Sequence, residues 1–253
     1  ASQVKIVDIG HDNFDSACEA LELGSVDMAV VDMAQLIRME KNDENLPYGV
    51  VISGVLKRGD SRYVMIRKRH AKDLIENAVV ATDSYSKTER IKHMYDGISC
   101  IVETDIRKCI EKLDASECDA VFVLLEDIKA ARLHNSFLYR YTIMDYGECV
   151  PVHGEGVYAM LTKGKKEAVR TARELSHKST AECFEIEDDI ISRVMQNVYV
   201  KTCDVYARIS SDRLEIYADV TGNRGRIRVN ERGTFVNKNL IITKIVDRIS
   251  KSM

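Results

Sequence analysis

Tryptophan is absent from the 253 residues and proline occurs only twice, so no proline-rich linker divides the chain. Cysteine occurs seven times, without a CxxC or other metal-ligand spacing. An odd count argues against a complete disulfide framework, and scattered thiols fit a reduced, cytoplasmic setting. No apolar run approaches the ~20 residues needed to span a bilayer, and no stretch reads as a signal peptide. Charge of one sign is also missing: the formal net charge is -3, with neither the basic excess of a nucleic-acid binder nor an acidic tail. What is abundant is hydrophobic sequence, 45% of the chain, enough to bury one to three compact cores.

The most informative stretch runs from Val79 to Leu125. An apolar run, Ala78 to Ala81, meets the polar turn Thr82-Asp83-Ser84-Tyr85-Ser86, followed by a helical pattern with Ile91, Met94 and Tyr95. A second run, Ile98 to Val102, leads to a helix with Ile106, Cys109, Ile110 and Leu113 on one face. A third, Ala120 to Leu125, follows Cys118-Asp119. Continuous apolar strands alternating with amphipathic helices predict a parallel sheet covered on both faces. The first turn then lies at a helix N-terminus, where free N–H groups and the helix dipole favour an anion. Thr82, Ser84, Ser86 and Lys87 are candidate anion binders, against the alternative that Thr82, Asp83 or Ser84 simply caps the helix.

Upstream, Val4 to Ile9 alternates like a strand. Phe14, Ala17, Cys18 and Leu21 mark a helix closed by Gly24, and Asp27 to Val31 reads as a buried strand. Downstream, a long helix carrying Ile186, Ile190, Ile191 and Val194 precedes three alternating segments, Val198 to Ile209, Arg213 to Val220 and Gly225 to Val229. A final helix spans Lys238 to Ile249. Helix, antiparallel strands and helix together make an α+β domain.

The order and spacing of several segments resemble hydroxymethylbilane synthase, also called porphobilinogen deaminase. Ala81 to Lys87 stands where that family has Gly-Thr-Ser-Ser-Leu-Arg-Arg, and Lys112 to Ala120 matches its Lys-Leu-Asp-x-Gly-x-Tyr-Asp-Ala. Leu46-Pro47-Tyr48-Gly49, Val55 to Arg62 and Pro151 to Ala159 match further family segments. The resemblance implies two periplasmic-binding-protein-like α/β lobes with mostly parallel sheets plus a C-terminal α+β domain. The expected boundaries are 1–57 with 148–165 for the first lobe, 58–147 for the second and 166–253 for the last. It also implies that Arg58, Asp60 and Arg62 hold a hinge between lobes.

The family joins porphobilinogen units on a dipyrromethane cofactor bonded to a cysteine. That cysteine falls on Val198 or Tyr199 here, leaving Cys203 as the weak candidate for attachment, although a small buried strand residue is its simpler reading. The family's catalytic aspartate falls on Gln35, which cannot ionise, with Asp32 three residues away. Its arginines for substrate carboxylates fall on Ser86, Lys87, Glu103 and Cys109, with Arg107 and Lys108 nearby but on other helix faces. His153 is a candidate base with no partner identifiable from sequence. The family's first strand and helix have no counterpart in this sequence: they lie outside it, another chain supplies them, or the first sheet is rebuilt. The expectation is therefore a hydroxymethylbilane synthase-like protein of tetrapyrrole biosynthesis that binds an anionic, pyrrole-like ligand or a protein partner in the interlobe cleft. No metal is expected, and dipyrromethane only if Cys203 or another cysteine replaces the attachment site. The alternatives are an active, diverged porphobilinogen deaminase and a two-lobe small-carboxylate sensor.

Overall fold

The computed structural model describes residues 14–41, 45–71, 73 and 77–253. The strand expected over Val4 to Ile9 lies outside the described residues. In chain order the first elements are α1 (Phe14–Glu22), β1 (Met28–Asp32), α2 (Met33–Lys41), β2 (Val50–Val55), β3 (Tyr63–Lys68), β4 (Val79–Thr82) and α3 (Tyr85–Met94). Next come β5 (Ser99–Val102), α4 (Ile106–Asp114), β6 (Ala120–Leu124), α5 (Leu125–Ala130), β7 (Tyr139–Ile143) and β8 (Tyr158–Lys163). The last are α6 (Lys166–Leu175), α7 (Lys178–Met195), β9 (Val200–Ser210), β10 (Arg213–Gly222), β11 (Gly225–Thr234) and α8 (Lys238–Ser252).

The chain forms two compact units. The first comprises the described residues up to Arg58 together with Val157–Glu182, and the second Gly59–Gly156 with Cys183–Met253. In the first, β8 pairs antiparallel with both β1 and β2, so those two share a direction. Helix α1 buries Phe14, Ala17, Cys18 and Leu21, the 3-and-4-spaced face predicted for it, and Gly24 follows at φ +68. Helix α6 packs on β2 and β8. Gly54 makes that approach possible, since an added Cβ would lie 2.7 Å from the Ala172 carbonyl oxygen.

The second unit holds a five-stranded sheet in the order β5-β4-β6-β3-β7. Strands β5 and β6 both run parallel to β4, whereas β3 runs against β6 and β7 against β3, so four of the five share one direction. The three inner strands β4, β6 and β3 are buried on both faces, β6 at every position, as continuous apolar runs require, whereas the edge strands β5 and β7 are partly exposed. Ile110, Cys109 and Leu113 of α4 cover one side, and Ile91 of α3 covers the other.

The same unit contains the C-terminal antiparallel sheet, β11-β10-β9. Its Val205, Ala207, Leu214, Ile216 and Ala218 pack against Ile186 and Ile190 of α7 and Ile242 and Ile245 of α8. Strand β11 continues to Thr234, beyond the apolar pattern that ends at Val229: at the sheet edge half of its positions are exposed and leave no apolar alternation to read. Among the described residues no helix is long and apolar enough to cross a membrane, and no cluster of potential metal ligands forms.

The segment Val152-His153-Gly154-Glu155-Gly156 is fixed by its backbone. Gly154 and Gly156 have φ +85 and +72, and the Ser61 hydroxyl donates to the Glu155 carbonyl at 3.0 Å. A Cβ on Gly156 would lie 2.6 Å from Ser61 Oγ. Gly156→Ala is expected to cost about 1–3 kcal/mol from the left-handed backbone alone. Urea unfolding should show a lowered midpoint with an unchanged m-value.

Candidate functional site

At the end of β4, Thr82 is fully buried and its hydroxyl donates weakly, over 3.4 Å, to Asp83. Ser84 occupies the N-cap position of α3 in extended backbone, but its side chain caps nothing and lies 3.1 Å from the Ser86 hydroxyl. Asp83 does not cap α3 either. Its carboxylate accepts from the Lys87 ammonium at 2.6 and 2.7 Å, and Glu155 lies 3.8 Å from the same nitrogen. Burial disfavours the Lys87 charge, yet Glu155 and Asp83 outweigh it and raise the Lys87 pKa above the ordinary lysine value. Thr82, Ser84 and Lys87 therefore stand together at the start of α3, with one ammonium facing two carboxylates.

Of the positions that the resemblance aligns with the family's other arginines, Cys109 serves packing and the Glu103 carboxylate accepts the Asp105 N–H. Cys109 is buried in the α4 core, and its thiol contacts the Glu103 carbonyl at 3.2 Å. Asp105 caps α4 by accepting the Arg107 N–H, and the Arg107 guanidinium donates to the Ala131 carbonyl. In the first unit, Asp32 caps α2 by accepting the Gln35 N–H at 3.2 Å. Arg62 and Asp60 form a bidentate pair at 2.9 and 2.7 Å. Hydrogen bonding to Arg62 holds the Asp60 carboxyl down at about 2.

Cys203 is 6% exposed and belongs to the apolar core under α7 and α8. Val198 and Tyr199 lie in the turn between α7 and β9, and both are exposed. The positions that the resemblance assigns to attachment therefore do not fit a thioether-bound dipyrromethane: the exposed turn carries no thiol, and Cys203, the nearest downstream thiol, faces the core.

The centre of charge in the second unit is a set of groups that sequence reasoning did not assemble. The buried His153 ring stacks on Phe184 at 4.7 Å; its Nε2 lies 2.9 Å from Asp188 Oδ1 and its Nδ1 3.4 Å from Glu187 Oε2. The His153 N–H donates to Asp204. Asp204 also pairs with Arg90, which lies 3.2 Å from Asp219, and Asp219 accepts from Arg226 at 2.7 Å with Arg228 at 3.6 Å. Glu187, Asp188, Asp204 and Asp219 thus face His153, Arg90, Arg226 and Arg228, four carboxylates against four cations when His153 is protonated. Burial alone would lower the His153 pKa, but the hydrogen bond to Asp188 and the nearby Glu187 carboxylate raise it to about 9. His153 is therefore a structural cation at neutral pH, and a general base must be neutral to act. One sequence signal could have found its partner: Glu187 interrupts the apolar stripe Cys183, Ile186, Ile190 and Val194 on α7, and it is fully buried.

Residues 8–171 match the family model described as porphobilinogen deaminase, dipyromethane cofactor binding domain. Among curated proteins, porphobilinogen deaminase of Chlorobium luteolum is 24% identical over 74% of this chain and 60% of its own length. Porphobilinogen deaminase of Clostridium acetobutylicum is 21% identical over 80% of this chain and 74% of its own. The chain thus spans about three fifths to three quarters of the length of these relatives. Among solved structures, the BvgS VFT2 domain of Bordetella pertussis superposes with a TM-score of 0.45, at 16% identity over 66% of this chain and 68% of that one.

The raised His153 pKa makes stability depend on pH. A group bound more tightly to its proton in the folded state stabilises fully below its unfolded pKa, about 6.5, and loses that contribution as pH rises through its folded value. Stability should fall by about 3 kcal/mol between pH 6.5 and 9 and then level off. Urea titrations across this range should show that fall, and His153→Gln should flatten it.

Proposed function

The chain belongs to the porphobilinogen deaminase family, and from that membership we propose a hydroxymethylbilane synthase-like role in tetrapyrrole biosynthesis that rests on reversible binding of an anionic pyrrole, without a covalently held dipyrromethane. The observation that carries this reading is the attachment position, where Val198 and Tyr199 supply no thiol and Cys203 faces an apolar core. Two further features support it. Gln35 stands at the position of the proton-handling aspartate and cannot ionise, while Asp32 is engaged as a helix cap. Cys109 and Glu103 replace arginines that would grip carboxylates bidentately.

The ligand-binding residues in this reading are Thr82, Ser84 and Lys87. The start of α3 offers backbone N–H groups and a serine hydroxyl not used as a cap, and Lys87 provides the cation. Asp83 and Glu155 already face that ammonium, so in this reading the N–H groups at the start of α3 and the Ser84 hydroxyl carry the grip on a ligand carboxylate, and Lys87 offsets the two fixed carboxylates beside it. A growing chain of pyrroles adds carboxylates with each unit, and their mutual repulsion would go unanswered here.

Intact-protein mass spectrometry on chain from a host that makes porphobilinogen, with Ehrlich's reagent on the same sample, tests the reading. The expected result is an unmodified mass and no colour, with porphobilinogen added to purified protein binding reversibly and more weakly to Ser84→Ala. A mass excess of two pyrrole units, lost on Cys203→Ala, would establish the covalent mechanism instead.

A further inference from the structure

The C-terminal sheet has a second face, opposite its apolar core. Strand register places Arg208 of β9, Glu215 of β10 and Arg232 of β11 in one row across three strands. Arg208 Nε lies 2.5 Å from Glu215 Oε2, Arg232 Nε lies 3.5 Å from Glu215 Oε1, and Arg232 also donates to the Tyr217 hydroxyl at 3.3 Å. Two guanidiniums share one carboxylate, so this wall carries a net positive charge. Burial works against the Glu215 charge, but Arg208 and Arg232 keep its pKa below the usual carboxylate value.

Facing the row is the loop Asp145-Tyr146-Gly147-Glu148. Its Tyr146 ring stacks on Tyr206 of the sheet, with centroids 4.1 Å apart, and the Arg208 guanidinium lies 5.7 Å from that ring. The loop presents two exposed carboxylates, Asp145 and Glu148. Arg62, which also borders the space, is matched by Asp60. Sheet and loop line a half-open cavity of about 610 Å³, within the size range of small-molecule sites.

Its charge pattern selects a ligand class. A simple anion meets the loop carboxylates, and a simple cation meets the arginine pair. A molecule carrying both charges satisfies both walls. We propose that this cavity is a binding site for a small zwitterion, its carboxylate on Arg208 and Arg232 and its ammonium on Asp145 and Glu148. The site lies apart from Thr82, Ser84 and Lys87 and stands whether or not the chain holds a covalent cofactor.

Titration of the ¹⁵N-labelled full chain with glycine, 4-aminobutyrate and 6-aminohexanoate, against butyrate and butylamine, tests the assignment. At least one amino acid should shift the Gly147 and Tyr217 amides saturably and bind about tenfold or more tighter than either singly charged probe. Arg232→Gln should weaken that binding, and Glu148→Gln should weaken it while leaving butyrate binding no weaker. Both side chains are largely solvent-exposed, and the glutamine side chain of the second variant would keep an oxygen for the Asp145 N–H now bonded to Glu148. Equal binding of butyrate would make this a plain carboxylate site and overturn the proposal. So would the absence of saturable shifts with all three amino acids, or binding unaffected by both substitutions.

Discussion

The second unit depends on a layer of buried charge between its two sheets. Arg90 on α3 reaches Asp204 and Asp219 on β9 and β10, and His153 ties the segment Val152 to Gly156 to Glu187 and Asp188 on α7. Charges removed from water require partners, and the four-against-four balance supplies them. The C-terminal sheet and the five-stranded sheet belong to one compact unit, and these charge pairs join them together with the stacking of Tyr146 on Tyr206. The charge layer also binds the sheet's polar face in an arrangement that an apolar contact would not specify by register.

The same economy of charge governs the candidate ligand residues. Lys87 occupies a position where the family resemblance implies an arginine, but here its ammonium answers Asp83 and Glu155. Arg62 answers Asp60. Basic groups that a polyanionic substrate would need are thus matched from within the protein. The arginine row beside Glu215 differs, because two cations share one carboxylate and a cavity lies over them.

Much of the fold was legible from residues 14 to 253 because the signals are local. Helix α4 buries Cys109, Ile110 and Leu113 as their spacing predicts, and β4, β5 and β6 follow apolar runs into a parallel core. The family resemblance was legible for the same reason: its motifs lie in turns and strand ends whose spacing is sequential. The partners of His153 were not. Glu187 and Asp188 lie more than thirty residues away on another element, and periodicity along one element carries no information about which face of another it meets.

By itself, the sequence determined the alternation of β4, α3, β5, α4 and β6, the apolar face of α1 and the helix, three strands and helix at the C-terminal end, since each follows from residue identity and spacing within a short window. The tertiary structure decided the rest. It turned Cys203 toward the apolar core, set His153 between two carboxylates and aligned Arg208, Glu215 and Arg232 in one row. Each of these is fixed by strand register or helix facing, and a one-residue slip in a strand would move its side chains to the opposite face.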